Sequence, residues 1–348
     1  MWRATDRLKI MDVNEIKKIL AEKIPENLIV AQHNEVGHFY RHVPTGGVFP
    51  SVTTKGSILD APHLKKWSAR LAVEHFAANL HKRKDIEMLK KEAVLVHQDQ
   101  FEEAGDVGTR GHGVVDEYLK EWIIKEVPRS DIRTVITDLV NTTVDGEKYN
   151  DPRVFAAARS AEMFCRDFHV IPVASEMKVC SLKHKFAGTL DSLMMVLNIE
   201  THGDGKCEDV NDVSEGKRRI HDFLSLSKSN PNKVKCLHCG LKGEYELAIV
   251  DWKTSNSIDK VEYAMQTSAY WQALFEMTGL RPKKIYIVRL DKKQAKYEVR
   301  VLTNRVAAFK AFKYTTRVYD WLNDGQEKLV SATPKEKVSL DDLELNPI

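Results

Sequence analysis

The most informative segment of the chain is Leu247-Ala248-Ile249-Val250-Asp251-Trp252-Lys253. It begins with an apolar run of the length of a strand and ends with an acid, an aromatic ring and a lysine. Side chains alternate along a strand, so the Asp251 carboxylate and the Lys253 amine should lie on the same side. Taken alone, such a pair is most simply an exposed ion pair at a strand end. Its meaning depends on the other motifs of the chain.

A second carboxylate, Asp191, closes the motif Gly188-Thr189-Leu190-Asp191 inside a predicted apolar strand over residues 186–197. A charge inside such a strand is costly unless it is paired or bound to a cation. Two acids at strand ends suit Mg²⁺ or Mn²⁺, which prefer oxygen ligands. A neighbouring lysine could orient an attacking water and stabilise charge that grows on a phosphate.

Two predicted helices carry polar pairs that are four residues apart and therefore share a helix face. His112 and Asp116 form the first pair, and Gln266 and Tyr270 form the second. Each pair alone is more simply a solvated pair or boundary packing. The order in which these motifs follow one another is the informative feature.

The succession Gly-Thr-x-x-His-x-x-x-acid, Gly-Thr-x-Asp, Asp-x-Lys-Thr and Gln-x-x-x-Tyr resembles the RecB-type branch of the PD-(D/E)XK nuclease superfamily. Upstream, residues 49–54 and 64–70 are similar to the N-terminal signature of phage exonucleases and of the mitochondrial genome maintenance exonuclease. The likeness covers about residues 36–325. It implies an α/β fold with a PD-(D/E)XK nuclease core, in which helices flank a central mixed β-sheet, and a metal-dependent phosphodiesterase that acts on DNA.

The resemblance also implies roles for single residues. His112, Asp191 and Asp251 would be metal ligands, and the backbone carbonyl of Trp252 would complete the coordination sphere. Lys253 would position and polarise the nucleophilic water.

The acid of the first motif is open between two neighbouring residues. It would be Asp116 or Glu117, because the family usually has a glutamate at the position of Asp116. Glu176, at the start of a predicted strand, would support the ligands from behind.

Four further residues are candidates for contact with the substrate. Gln266 and Tyr270 would contact DNA or support Lys253. Ser51 and Arg70 could bind phosphate, as hydroxyl and guanidinium groups do. The simpler alternatives, a helix cap at Ser51 and a surface arginine at Arg70, are equally open.

An insertion over residues 199–243 separates two predicted strands that would otherwise be neighbours. It contains Cys236-Leu237-His238-Cys239-Gly240, a Cys-x-x-Cys knuckle of the kind that binds zinc through thiolates. Cys207 would be the third zinc ligand and His202 the preferred fourth. No second Cys-x-x-Cys follows, so free thiols in a flexible loop are the alternative.

Hydrophobic periodicity divides the chain into four parts. Residues 1–35 form a lead-in, and residues 36–168 form a hairpin and a mainly helical region with a predicted helix break at residues 105–108. An α/β core is predicted for residues 169–325, and the polar residues 326–348 are predicted to be a flexible tail.

The composition of the chain excludes several classes of protein. The 348 residues are 43% hydrophobic and 30% charged, as in globular proteins. The formal net charge of +3 is too small for a protein that coats nucleic acid, so contact with DNA should be local. No apolar run approaches the roughly 18 residues of a membrane span, and the first residues resemble no secretory signal. We therefore expect an intracellular, cytoplasmic protein, in the host cytoplasm if it is phage-encoded.

The resemblance, taken with these features, implies a DNA exonuclease or end-processing nuclease of replication, recombination or repair. It would use Mg²⁺ or Mn²⁺, carry a structural Zn²⁺ if the knuckle is complete, and take single strands or duplex ends as its partner. The alternative is a catalytically inactive nucleic-acid-binding protein of the same fold, a recombination or packaging accessory. The complete set of Asp191, Asp251 and Lys253 favours the enzyme, because a silent protein gains nothing from two costly carboxylates.

Overall fold

The protein is described from a computed structural model that covers residues 13–34, 37–59, 62–82, 85–126, 131–201, 223–226, 230–236, 240–258 and 261–324. These residues form a mixed α/β fold in which helices flank a mixed sheet, as expected from the sequence. Within them, no helix has both the length and the apolar character that are needed to cross a bilayer.

The N-terminal part is a helix followed by a small antiparallel sheet and a short helix. Its elements are α1 (Val13–Lys23), β1 (Ile29–Asn34), β2 (Gly37–His42), β3 (Val48–Pro50) and α2 (Val52–Gly56). The predicted hairpin is confirmed as β2 and β3. Strand β1 lies within the predicted lead-in, and Ser51 caps α2 by accepting a bond from the Thr54 N–H.

The helical region contains four helices and two 3₁₀ turns (Leu80–Lys82 and Gly146–Asn150). The helices are α3 (Pro62–Asn79), α4 (Ile86–Lys125), α5 (Ile132–Thr142) and α6 (Pro152–Asp167). The predicted break at residues 105–108 is wrong, because α4 continues through it. Gly108 lies against Thr254, so tertiary packing outweighs the low helix propensity of glycine.

The main sheet and its two following helices form the second half of the chain. Their bounds are β4 (Ile171–Ser181), β5 (Phe186–Thr201), β6 (Phe223–Ser225), β7 (Lys233–Cys236), β8 (Lys242–Lys253), α7 (Val261–Thr278), β9 (Lys284–Leu290), β10 (Tyr297–Val301) and α8 (Arg305–Asp324). The strand order is β10-β9-β8-β5-β4, and β7 joins β8 with β6 beside it. Only the pairing of β8 with β9 is parallel within these strands. Helix α7 ends just before Gly279, whose φ of +78° is the left-handed conformation that glycine favours after a helix.

Helices cover both faces of this sheet. Met194 and Val250 pack with α4, α5 and α6 on one face, whereas their neighbours Leu193 and Ile249 pack with α1, α7 and α8 on the other. Strands β5 and β8 are thus buried on both sides, as their continuous apolar sequence indicates. They are neighbours despite the insertion between them.

The insertion is described only in part. Cys236 ends β7 and is fully buried with Leu197, Val234 and Leu241. The three other proposed zinc ligands, Cys207, Cys239 and His202, lie outside the described residues, as does the predicted tail over residues 326–348. The zinc site therefore stays a prediction.

Candidate active site

Residues of three of the four sequence motifs line a pocket of about 670 Å³ between α4, β4, β5 and the end of β8. Its ionisable lining side chains are His112, Asp116, Glu176 and Asp191. Thr254, which directly follows Lys253, also lines it. Residues far apart in the chain are therefore brought to one place, as the order of the motifs indicates.

A group with the chemistry of a metal site lies in this pocket. One ligand-type atom from each of His112, Glu176 and Asp191 lies within 4.8 Å of the other two. His112 and Asp191 were predicted as ligands, whereas Glu176 was expected only behind them. Glu176 has a φ of +47°, although the β4 residues on both sides of it pair regularly with β5. Backbone strain of this kind is typical of functional sites.

Asp251 and Lys253 form a buried ion pair next to this group. The Lys253 Nζ lies 2.7 Å from the Asp251 Oδ2, so the predicted same-side arrangement is confirmed. Asp251 is only 1% exposed, and apart from Lys253 its carboxylate oxygens have no hydrogen-bond partner within the described chain. Burial raises the pKa of Asp251 to about 6, even though Lys253 lowers it. A carboxylate in this situation is one that a divalent cation would stabilise.

Asp191 connects the metal-type group to the strand of the ion pair. Its Oδ2 accepts a hydrogen bond of 2.8 Å from the Trp252 N–H and lies 4.0 Å from the His112 Nδ1. Burial raises the pKa of Asp191, whereas Lys253 and the Trp252 amide lower it. The Trp252 indole is buried and donates to Ser192. The backbone of Trp252 is thus part of the site through its amide, and the metal role of its carbonyl remains a prediction.

The electrostatics of the pocket suit a cation. Burial, and then the charge of Lys253, lower the pKa of His112 to about 4, so the imidazole is neutral at pH 7, as a metal ligand must be. Burial, and then the charges of Asp191 and Asp116, raise the pKa of Glu176 to about 8. Burial alone would lower the pKa of Lys253, but Asp251 and Asp191 outweigh it and raise that pKa. The acids repel one another unless a proton or a metal ion compensates them.

The structure separates the two candidate acids of the first motif. The Asp116 side chain is 14% exposed, accepts a 2.7 Å hydrogen bond from Ser175 and pairs with Lys120 at 2.6 Å. Glu117 is 51% exposed and does not line the pocket. One residue turns a helix by about 100°, so only one of the two acids can point into the site. Of the two candidates, Asp116 is therefore the acid that lies at the pocket, and its catalytic role stays a prediction.

Tyr270 lies beneath the site rather than at its surface. It is 4% exposed, and its hydroxyl accepts a 3.0 Å hydrogen bond from the Gln266 Nε2. Of the two expected roles, its burial favours support of the site over contact with DNA. The Tyr270 ring also packs directly against Gly188 of the Gly-Thr-x-Asp motif.

Two motif glycines allow close approach between elements. A β-carbon at Gly108 would lie 2.7 Å from the Thr254 Oγ1, and one at Gly188 would lie 2.6 Å from the Tyr270 Cε1. The glycine of each motif thus makes room for a residue of another motif. This packing holds α4, β5, β8 and α7 together around the pocket.

We expect Gly188→Ala to lower the free energy of unfolding by about 1–3 kcal/mol, because the added methyl group meets a buried ring that has no room to move. Urea denaturation measures this change. Gly105→Ala is the matched control, since nothing lies within 4 Å of a β-carbon there. The control should be neutral or stabilise α4 by up to about 1 kcal/mol. Equal destabilisation by both substitutions would contradict the importance of the Gly188 contact.

Ser51 and Arg70 do not lie in the pocket. Ser51 is buried and caps α2, and its Oγ also contacts the hydroxyls of Thr53 and Thr54. Arg70 is exposed on α3 and lies 3.6 Å from Glu74, one turn away. The structure thus shows a helix cap at Ser51 and a surface arginine at Arg70, the alternatives that the sequence left open, and the phosphate contacts stay predictions.

Three residues near the pocket were missed. Thr254 is the last residue of the Asp-x-Lys-Thr motif. Lys120 shares a helix face with Asp116 at a spacing of four, and this spacing is a usable signal. No pattern in the sequence indicates a role for Ser175, because its hydrogen bond to Asp116 joins two distant segments.

No protein-family model matches the sequence, and no curated protein matches it significantly.

Proposed function

We propose that the protein is a metal-dependent nuclease of the PD-(D/E)XK superfamily, RecB-type branch, that hydrolyses phosphodiester bonds at DNA ends. The observation that carries this proposal is the convergence of His112, Glu176 and Asp191 beside the buried pair of Asp251 and Lys253. The mixed sheet with helices on both faces is the architecture that the resemblance implies.

The donor set fits a divalent cation. His112, Glu176 and Asp191 would hold it, and the buried oxygens of Asp251 have no other good hydrogen bond within the described chain. Carboxylate oxygens dominate the set, which favours Mg²⁺ or Mn²⁺. When bound, such an ion supplies Lewis-acid activation of the phosphate and of a water molecule.

Lys253 provides the second element of the chemistry. Two carboxylates raise its pKa, so its Nζ keeps the proton at neutral pH. It therefore acts as an orienting cation and not as a general base. From its position at the Asp251 carboxylate, the ammonium group can hold a water molecule by a hydrogen bond and stabilise charge on the phosphate.

Asp116 and Trp252 keep the charged groups in place. Asp116 joins α4 to β4 through its bond with Ser175, and the Trp252 amide fixes the orientation of the Asp191 carboxylate. Preorganised groups of this kind reduce the reorganisation that the reaction requires.

The test is cleavage of 5′- and 3′-labelled single-stranded and double-stranded DNA with Mg²⁺, Mn²⁺ or EDTA, beside RNA of the same sequence. We expect degradation of DNA with either metal and none in EDTA, and the label that is released first gives the polarity. Binding without cleavage of any substrate would contradict the proposal and favour the catalytically inactive nucleic-acid-binding protein.

A further inference from the structure

The outer face of α8 carries basic and aromatic side chains. We call it the basic-aromatic face and define it by Lys310, Lys313, Tyr314, Arg317 and Trp321. These residues recur every three or four positions and so form one stripe along the helix. Tyr314 is 54% exposed and Trp321 is 53% exposed, which is unusual for large rings on a helix of a folded domain.

The cations of this face are not neutralised by acids. Lys310 lies 6.0 Å from the ring centre of Tyr314, and Lys313 lies 5.7 Å from that of Phe309. Within the described chain, Lys310, Lys313 and Arg317 have no carboxylate oxygen within 4.0 Å. Many other surface arginines do have one, such as Arg289, which pairs with two acids.

Helix α8 runs antiparallel to α7. Near its start, the Arg305 guanidinium lies 3.2 Å from the ring centre of Trp271. Ten residues later, the Thr315 Oγ1 lies 3.9 Å from the sulfur of Met265. The later residues of α8 therefore lie towards the beginning of α7.

The beginning of α7 is next to the candidate active site. The ring centre of Tyr263 lies 4.9 Å from the Lys253 Nζ. Trp321 is thus at the end of α8 that is nearer to the ion pair of Asp251 and Lys253. A buried lysine, Lys55, fixes this end by an ion pair of 2.7 Å with Asp320.

From these observations we infer that the basic-aromatic face of α8 binds single-stranded nucleic acid on its way to the pocket. This inference rests on the proposed function and adds a contact surface outside the pocket. Phosphates would lie on Lys313 and Arg317, and bases would stack on Tyr314 and Trp321. The two rings are about 10 Å apart along the helix axis, so they would contact different nucleotides. Cations interleaved with flat rings are the combination that binds single strands without sequence preference.

The test measures binding of fluorescent oligonucleotides by anisotropy in EDTA, where hydrolysis should not interfere. A 20-nucleotide DNA strand, a strand of 6 nucleotides and a 20-nucleotide RNA strand are compared. We expect Trp321→Ala to weaken binding of the long DNA strand by about 5- to 50-fold. The short strand should lose much less, since the pocket alone can occupy it. The RNA arm shows whether the face distinguishes the two kinds of strand.

The charge test uses the double variant Lys313→Gln with Arg317→Gln. The slope of log K for DNA binding against the logarithm of the salt concentration should become shallower by about 1.4, because two phosphate contacts are lost. The matched control is Lys18→Gln with Lys23→Gln on α1, which removes the same charge. Helix α1 lies beside the C-terminal end of α4, beyond the residues of α4 that line the pocket, because Lys17 donates to the Ile123 carbonyl. The control should keep the slope of the unmodified protein.

The outcomes separate this inference from the proposed function. If the protein cleaves DNA but the α8 variants bind and titrate like the control, the inference is overturned and the nuclease proposal stands. If the unmodified protein neither binds nor cleaves nucleic acid, both fail. If the α8 substitutions instead weaken binding of a peptide of residues 335–348, the face is a docking site for the acidic end of this chain, and the inference is overturned.

Discussion

Lys253→Met is expected to reduce the kcat of DNA cleavage by about 10²- to 10⁴-fold, the range for loss of a positioned proton donor or charge stabiliser. Lys253 is the cation that the structure buries beside the acids, with its Nζ 2.7 Å from Asp251. Methionine keeps most of the apolar stem that packs near Tyr263 and removes only the charge. Single-turnover cleavage with Mn²⁺ measures the loss, and thermal melting checks the fold.

Lys120→Met is the matched control for this prediction. Lys120 is also a lysine beside the pocket, but it is half exposed and pairs with Asp116. Because the Lys120 ammonium group is half exposed, water screens its charge, so we expect a loss of cleavage of less than about tenfold. Similar losses in the two variants would mean that general charge near the pocket, and not the position of Lys253, supports cleavage.

Most elements of the core were predictable because their signals are local. The strands that became β5 and β8 are apolar runs of strand length, and Gln266 and Tyr270 have the spacing of the helix that became α7. The spacing of residues along these elements also predicts which side chains lie on the same face. His112 and Asp116, four apart, and Asp251 and Lys253, two apart, lie together as expected.

The differences arise where contacts are distant in the sequence. The predicted break in α4 rested on glycines, which are poor helix formers, but Gly108 is needed for the approach of Thr254, which lies over a hundred residues away. The choice between Asp116 and Glu117 depends on the rotational position of α4, and Ser175 on another element shows which acid faces the pocket.

Glu176 shows the same limit within a strand. Alternation predicts the direction of a side chain when the backbone is extended, but Glu176 adopts a left-handed backbone conformation with φ of +47°. Its carboxylate therefore joins His112 and Asp191 instead of standing behind them. The sequence around Glu176 does not predict this conformation. A glycine or asparagine there would have indicated it.

Asp191→Asn is expected to weaken Mn²⁺ binding by about 100-fold or more and to abolish cleavage. Asp191 belongs to the metal-type group and also touches the strand of the ion pair through the Trp252 amide. Asparagine has nearly the same shape and can still accept that hydrogen bond. The loss of Mn²⁺ affinity therefore measures the effect of removing the negative charge and one carboxylate oxygen. Isothermal titration calorimetry with Mn²⁺ measures the affinity.

The same substitution should stabilise the metal-free protein, because burial raises the pKa of Asp191 and thus disfavours its charged form in the folded state. Thermal melting in EDTA should therefore show a higher midpoint for Asp191→Asn than for the unmodified protein, and added Mn²⁺ should raise only the latter. Glu117→Gln removes an exposed acid from the same neighbourhood and should change neither quantity. Unchanged Mn²⁺ affinity in Asp191→Asn, or an equal loss in Glu117→Gln, would show that the metal site lies elsewhere.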